Sequence, residues 1–358
     1  MRRFALAALL LAIPLGSRGS EQDALNISNR IWQIKMPYGT VMNPIFEAAG
    51  SGILRTYDNG GDSAIWTGHY LAAESYRYAV TRDIAALNNI RNALTGIENL
   101  RVVTGTGLLA RFYMPTDTPY VEAMARAVQD GSRFEGTLNG APHYFIAYTS
   151  RDQYSGIMFG LSVVFELVDD PGVRTRAANE VTQHLNFLIQ NNWNVVNPDG
   201  HISTTFWGRP DQQLAFLQIG RQVNPNSFAL LYIAHRALYG AEVPAPIAVE
   251  IQDPHGSYYK FNLNHINLLR LIQFEEPLSP YRAFYRQAYD MLRGATGNHQ
   301  NAHFNMTDRA LKAPDSIRDG ETASLLDQWL TRPATNVWVD HRGDPRYPRV
   351  SEDRSSEW

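Results

Sequence analysis

The chain has no cysteine at all, which excludes disulfides, thiolate metal sites, a Cys nucleophile and a lipid anchor on an N-terminal Cys. Lysine is scarce as well: only Lys35, Lys260 and Lys312 stand among the 32 basic residues, and no Lys/Arg run occurs. With a formal charge of −3, such a chain is a poor match for nucleic acid or an anionic membrane surface. Walker and dinucleotide glycine patterns are missing, and so is the Gly-x-Ser-x-Gly elbow. Ser257-Tyr258-Tyr259-Lys260 fits Ser-x-x-Lys, but its companion Ser-Asp-Asn and Lys-Thr-Gly elements are absent. No cofactor is expected.

Apolar runs long enough to span a bilayer are also lacking. The longest, residues 4–15, follows Arg2 and Arg3 and precedes a small-residue stretch at 17–20. That three-part layout predicts a secretory signal peptide over 1–19, hence a periplasmic or secreted protein without membrane insertion. Without disulfides, an exported chain must be held by its core. With 358 residues, 44% of them hydrophobic, it is large enough to bury one.

What is present is a recurring pair of helices. Thr67-Gly68-His69-Tyr70-Leu71 and Ser155-Gly156-Ile157-Met158-Phe159 each open an apolar segment, and a charged turn closes it. A helix with a single apolar stripe then follows: Ile84, Leu87, Ile90, Leu94 and Ile97 in one case, Val173, Ala177, Val181, Leu185 and Leu188 in the other. The first kind suits a helix surrounded by others, the second a surface helix with one buried face. A third unit runs through 263–274 and then Tyr281, Tyr285, Ala288 and Leu292. A fourth, 211–222 and 226–239, reads as buried on both helices. Further helices are expected near 22–35, 43–55, 120–129 and 316–331, giving ten to twelve in all.

The predicted fold is therefore all-α: an (α/α) toroid over 20–332, although an open solenoid would pair its helices in the same way. Residues 133–137 with 143–149, around Asn139-Gly140, and 193–196 with 201–205, around Asn197-Pro198-Asp199-Gly200, read as β-hairpins at its rim. The tail, 333–358, reads as extended and frayed.

In such a barrel the loops leading into the inner helices converge on one mouth. Three of them carry an Asp beside aromatic residues: Tyr57-Asp58-Asn59-Gly60-Gly61-Asp62-Ser63-Ala64-Ile65-Trp66, Thr149-Ser150-Arg151-Asp152-Gln153-Tyr154 and Trp207-Gly208-Arg209-Pro210-Asp211-Gln212. This arrangement resembles the six-hairpin glycosidase superfamily in general architecture, over roughly residues 62–332, without the signature of any one family. The resemblance implies that Asp62 and Asp152 stand where unsaturated-glucuronyl hydrolases carry their acid carboxylates, although the surrounding residues differ. It also implies a carbohydrate substrate.

Glycoside cleavage needs one carboxyl to protonate the leaving oxygen and another to attack the sugar or activate water. Asp62 and Asp152 are the candidates. Trp66, Tyr154 and Trp207 would stack on sugar faces, Arg151 and Arg209 would hold an anionic substituent such as a uronate, and His69, Asp211 and His265 would line the cleft. The non-catalytic alternative is a glycan- or partner-binding toroid in which all three aspartates merely cap helices. A lyase or epimerase alternative would use His265, Tyr258 or Tyr259, with Asn262 and Asn264 as donors to a carboxylate. Glu74 sits on the first inner helix and needs a partner or a wet cavity. His299 and His303, with Asp308, are too few and too loop-like for a metal, and none is expected.

Overall fold

The computed structural model describes residues 20–48, 51–58, 60–253 and 258–329, with the short strands 338–339 and 356–357. The expected signal peptide lies outside them.

The chain is predominantly helical, with small antiparallel sheets between the helices. Helix α1 (Glu21–Arg30) starts with a reciprocal cap: the Ser20 hydroxyl accepts from the Asp23 N–H and the Asp23 carboxylate accepts from the Ser20 N–H. The helix expected near 43–55 is instead a two-stranded sheet, β1 (Pro44–Phe46) antiparallel to β2 (Leu54–Tyr57). Pro44 holds Asn43 out of the α region, and Gly52, at φ +68°, turns the chain between the strands.

The two principal helix pairs follow. Helix α2 (Ser63–Thr81) is buried on several sides through its first half, and α3 (Ile84–Val102) covers it with one stripe. Next comes β3 (Phe112–Pro115), which the sequence reading missed. A short helix, α4 (Ala125–Gln129), precedes β4 (Arg133–Leu138) and β5 (Ala141–Ile146). The last two form the expected hairpin, turned by Asn139 and Gly140 in left-handed conformations, and β3 joins them in the order β3-β5-β4. Helix α5 (Arg151–Leu167) is buried without a break from Gln153 to Val164, and α6 (Pro171–Gln190) packs on it through one buried stripe.

The second half repeats the scheme. After the hairpin β6 (Asn194–Val196) and β7 (Ile202–Thr205), helix α7 (Pro210–Val223) is buried from Pro210 to Gly220. Helix α8 (Pro225–Tyr239) corrects the reading that both members of this pair are buried. Only Phe228 and Tyr232 are buried, while Leu230 and Leu238 are 82% and 69% exposed. Helix α9 (Pro244–Gln252) was not foreseen. Helix α10 (Tyr258–Phe274) packs against α7, α5, α11 (Pro280–Thr296) and α12 (Ala302–Leu311). Helix α12 starts inside the stretch read as loop, and α13 (Ser316–Trp329) follows it. In the tail, Trp338–Val339 and Ser356–Glu357 pair as antiparallel strands.

One core runs through α2, α3, α5, α6, α7, α10 and α11, and a smaller cluster (Met42, Tyr57, Phe112, Met114, Met124, Ile146) fills the space beside the three-stranded sheet. No helix among the described residues is long and apolar enough to cross a membrane.

The contact that positions the functional site is between α2 and α5. A Cβ on Gly68 would stand 2.1 Å from the Gly156 carbonyl oxygen, and one on Gly160 would stand 2.3 Å from that of Gly68. The helices touch backbone to backbone, so any side chain there forces them apart. Gly68→Ala is expected to cost about 1–3 kcal/mol or more, and guanidinium unfolding would show it. An unchanged midpoint would mean the helices are not this close.

Candidate active site

The two buried helices α2 and α5 each have an acidic residue at the start, and the glycine contact brings those beginnings together. Asp62 precedes α2 and Asp152 is the second residue of α5. Between them stands Gln153, wholly buried, which the sequence reading did not single out. Its side-chain oxygen accepts from the Ile65 N–H at 2.9 Å. That bond fixes which way the amide faces, and the amide nitrogen donates to Asp62 Oδ1 at 3.1 Å and to Asp152 Oδ2 at 3.3 Å. One donor thus serves two carboxylates.

The two carboxyl groups differ in surroundings. Asp62 has 54% of its side chain open to solvent, and its nearest cation is Arg111, whose Nη1 is 3.9 Å away. Partial burial, and then the charge of Asp152, raise its pKa above the ordinary carboxylate value. Arg111 and Gln153 oppose that rise without cancelling it. On the other side, Asp152 accepts from the Ser150 hydroxyl through one oxygen and from Gln153 and the Tyr259 hydroxyl (3.4 Å) through the other. Arg111 ties the two loops together, donating to the Gly61 carbonyl at 2.8 Å, the Tyr148 carbonyl at 3.0 Å and Ser150 Oγ at 2.6 Å.

None of the three aspartates caps its helix. Asp62 and the residues at the cap positions of α5 and α7 make no side-chain cap bond. Asp83 and Asp170, by contrast, accept from the N–H groups of Ala85 and Val173. Asp170→Ala is therefore expected to lower stability by about 1 kcal/mol, while Asp62→Asn leaves it unchanged. Thermal melts of the two variants check this, and equal losses would restore the capping explanation for Asp62.

A cavity of about 340 Å³ lies on the Asp62 side, lined among others by Asp58, Arg111, Arg126, Asp130 and Tyr148. A second, of about 240 Å³, lies on the Asp152 side, with Arg151, Arg209, Glu250, Tyr259, Lys260 and Asn264 in its wall. Trp66, 38% exposed, meets Tyr259 edge to face at 5.9 Å and sits 5.5 Å from the His69 ring. His69 Nε2 pairs with the Asn262 amide at 3.2 Å. The ring is otherwise packed on Phe159 and His303, and burial pushes its pKa down to about 3.

Arg151 lines the second cavity, and its Nη1 donates to the Thr205 carbonyl at 3.0 Å. Arg209 lines it too, held by both oxygens of the wholly buried Asp211 and by Glu250. Glu250 also accepts from Asn264 at 2.6 Å.

Several expected cleft residues are elsewhere. Tyr154 is fully buried, its hydroxyl accepting from the Leu109 N–H at 3.3 Å, because position 154 faces the core side of α5. His265 is equally sealed, stacked on Phe304 with ring centres 4.1 Å apart. Asp211 lies behind Arg209, not in the cavity wall. Trp207 faces solvent, its indole N–H bonded to the Asn192 carbonyl at 2.9 Å, and lines neither cavity. Glu74 is buried at the other end of α2 and accepts from Ser28, Arg77 and Asn89. Asp308 pairs with Tyr289 and Lys312, and no group of three His, Asp or Glu placed to hold a metal occurs among the described residues. The side chain of Tyr258 lies outside the described residues.

The sequence reading overlooked Gln153, Ser150, Arg111, Tyr148 and Glu250. Gln153 stands in the polar stretch 149–153 ahead of the apolar segment, where nothing in the sequence sets it apart. Neither a scan against protein-family models nor a search of curated proteins finds a match to this chain.

Proposed function

We propose that this chain is an exported glycoside hydrolase whose helix pairs close into an (α/α) toroid of the six-hairpin kind, acting on a poly- or oligosaccharide with Asp62 and Asp152. The observation that carries the reading is the shared Gln153 amide. The two oxygens lie 3.1 and 3.3 Å from one planar NH2 nitrogen; with one along each N–H direction they stand about 5.5 Å apart, the separation of about 5–5.5 Å for direct attack and short of the roughly 6.5–9.5 Å that seats a water. Asp62, whose pKa is raised above the ordinary carboxylate value by burial and by the charge of Asp152, is the acid that protonates the leaving oxygen. Asp152, with donors on both oxygens, is the nucleophile. Retention of anomeric configuration follows from that assignment.

The lyase alternative has less to stand on. It keeps Tyr259 beside Asp152, but His265 is sealed in the core and Asn264 is committed to Glu250.

Release of reducing ends from a panel of polysaccharides, by the wild type and by Asp62→Asn and Asp152→Asn, tests the proposal. Full turnover in both variants removes it, and a rise in ultraviolet absorbance from unsaturated ends would replace it with the lyase.

A further inference from the structure

The mechanism above uses the wall between the two cavities but assigns nothing to the larger one. Tyr148 lies in its lining, within the segment that leads from β5 to Asp152. Its backbone is left-handed, at φ +52°. For a bulky side chain that conformation is strained, and it persists only where the surroundings enforce it.

Those surroundings are specific. The Tyr148 N–H donates to Asn197 Oδ1 at 2.8 Å, its carbonyl accepts from Arg111 Nε at 3.0 Å, and its hydroxyl donates to Asp199 at 2.8 Å. Asn197 and Asp199 belong to the β6–β7 turn, so one hairpin holds the ring from outside while Arg111 ties the same residue to the aspartate loops. The ring is further steadied edge to face by Phe134 and His201, at 6.2 and 6.4 Å.

The charges around this cavity are mixed. Asp58, Asp62 and Asp130 face Arg111 and Arg126 across it. Even with Asp62 protonated, Asp58 and Asp130 balance Arg111 and Arg126, so the cavity offers no excess of positive charge to hold an anionic sugar. The basic side chains Arg151, Arg209 and Lys260 are all on the Asp152 side.

We propose that the cavity on the Asp62 side is a subsite for an uncharged sugar ring, and that Tyr148 is its aromatic platform. The inference rests on the hydrolase reading for the kind of ligand, but binding can be measured apart from turnover. A hexasaccharide crossing the wall would place one ring against Tyr148, and any acidic ring would lie beyond Asp152.

The test is calorimetric titration with cellohexaose, xylohexaose, maltohexaose and hexagalacturonate, in the Asp152→Asn background to prevent cleavage. At least one neutral hexasaccharide is expected to bind more tightly than hexagalacturonate. Tyr148→Gly relieves the strain and removes the ring, so it should weaken that binding roughly tenfold or more without lowering the melting temperature by a comparable measure. Tyr148→Phe keeps the ring and should keep the affinity. If the glycine variant does not fold, Tyr148→Asn, which also tolerates this backbone, takes its place.

Undiminished affinity in the ring-less variant, preference for hexagalacturonate, or no binding of any neutral hexasaccharide overturns the proposal. Hydrolysis that survives both Asp→Asn changes, beside Tyr148-dependent binding, would instead remove the hydrolase reading and leave the subsite standing.

Discussion

Asp62→Asn and Asp152→Asn are each expected to lower glycoside turnover by roughly 10²–10⁴-fold, the usual worth of a positioned acid or base, while the protein stays folded. Neither carboxylate makes a hydrogen bond that caps a helix, and Asn keeps the shape of the group. The two variants should differ in pH dependence. Asp62 is useful only while protonated, and its pKa is raised by burial and by Asp152. Wild-type activity should therefore fall on the alkaline side, at a pH above the ordinary carboxylate range. The residual activity of Asp62→Asn should lack that limb, and Asp152→Asn, which removes the neighbouring charge, should shift it towards lower pH. Rate–pH profiles on a substrate identified by the polysaccharide screen would show these differences. An identical alkaline limb in Asp62→Asn and the wild type would take the acid role away from Asp62.

The second large effect is on stability in mild acid. Burial pushes His184 and His303 down to about 4 and His69 to about 3, and lowers His265 further below its ordinary value than a surface group would go. In each case the folded chain binds its proton less readily than the unfolded chain does. Stability is therefore fully present above about pH 6.5 and is lost as pH falls below it, towards the folded-state values. Each such histidine takes away up to about 1.4 kcal/mol per pH unit in that window.

The sites are not equal. His184 lies 3.8 Å from Glu180, which softens its loss, although Arg101 already holds that carboxylate. His69 and His303 face each other with ring centres 5.8 Å apart, and His265 has Arg293 nearby; among the described residues no carboxylate acts on any of the three to meet the new charge. Urea midpoints are expected to fall steeply between pH 6.5 and pH 5. His303→Gln should flatten the slope. A midpoint constant over that range would show that these rings accept protons without cost.

The helix pairing was readable in the sequence because it follows from local periodicity. Residues 84–97 show one stripe and residues 155–168 almost none, and the structure buries the first along one face and the second on nearly every side. The reading failed where composition and environment part ways. Helix α8 is apolar enough to look buried, yet Leu230, Leu231 and Leu238 face outward. Residues 297–303 looked like loop because Asn and His weaken the helical pattern, whereas Asn301 is a capping residue that starts α12. Helix-leading aspartates were found by position alone. The orientation of Tyr154 and His265 was not, since one residue of rotation about a helix axis decides between cleft and core. Long-range partners such as Arg111 with Ser150, or Arg209 with Glu250, leave no trace in local spacing.

Gly68, Gly156 and Gly160 do more than allow a close approach. With peptide planes in direct contact, there are no rotamers between α2 and α5 that can exchange to let one helix slide on the other. Whatever adaptation a ligand demands must then come from the hairpins and from Arg111, which border the cavities without belonging to this seam. Substitutions that broaden ligand choice should accumulate in residues 132–148 and 194–205, while the seam itself admits almost none.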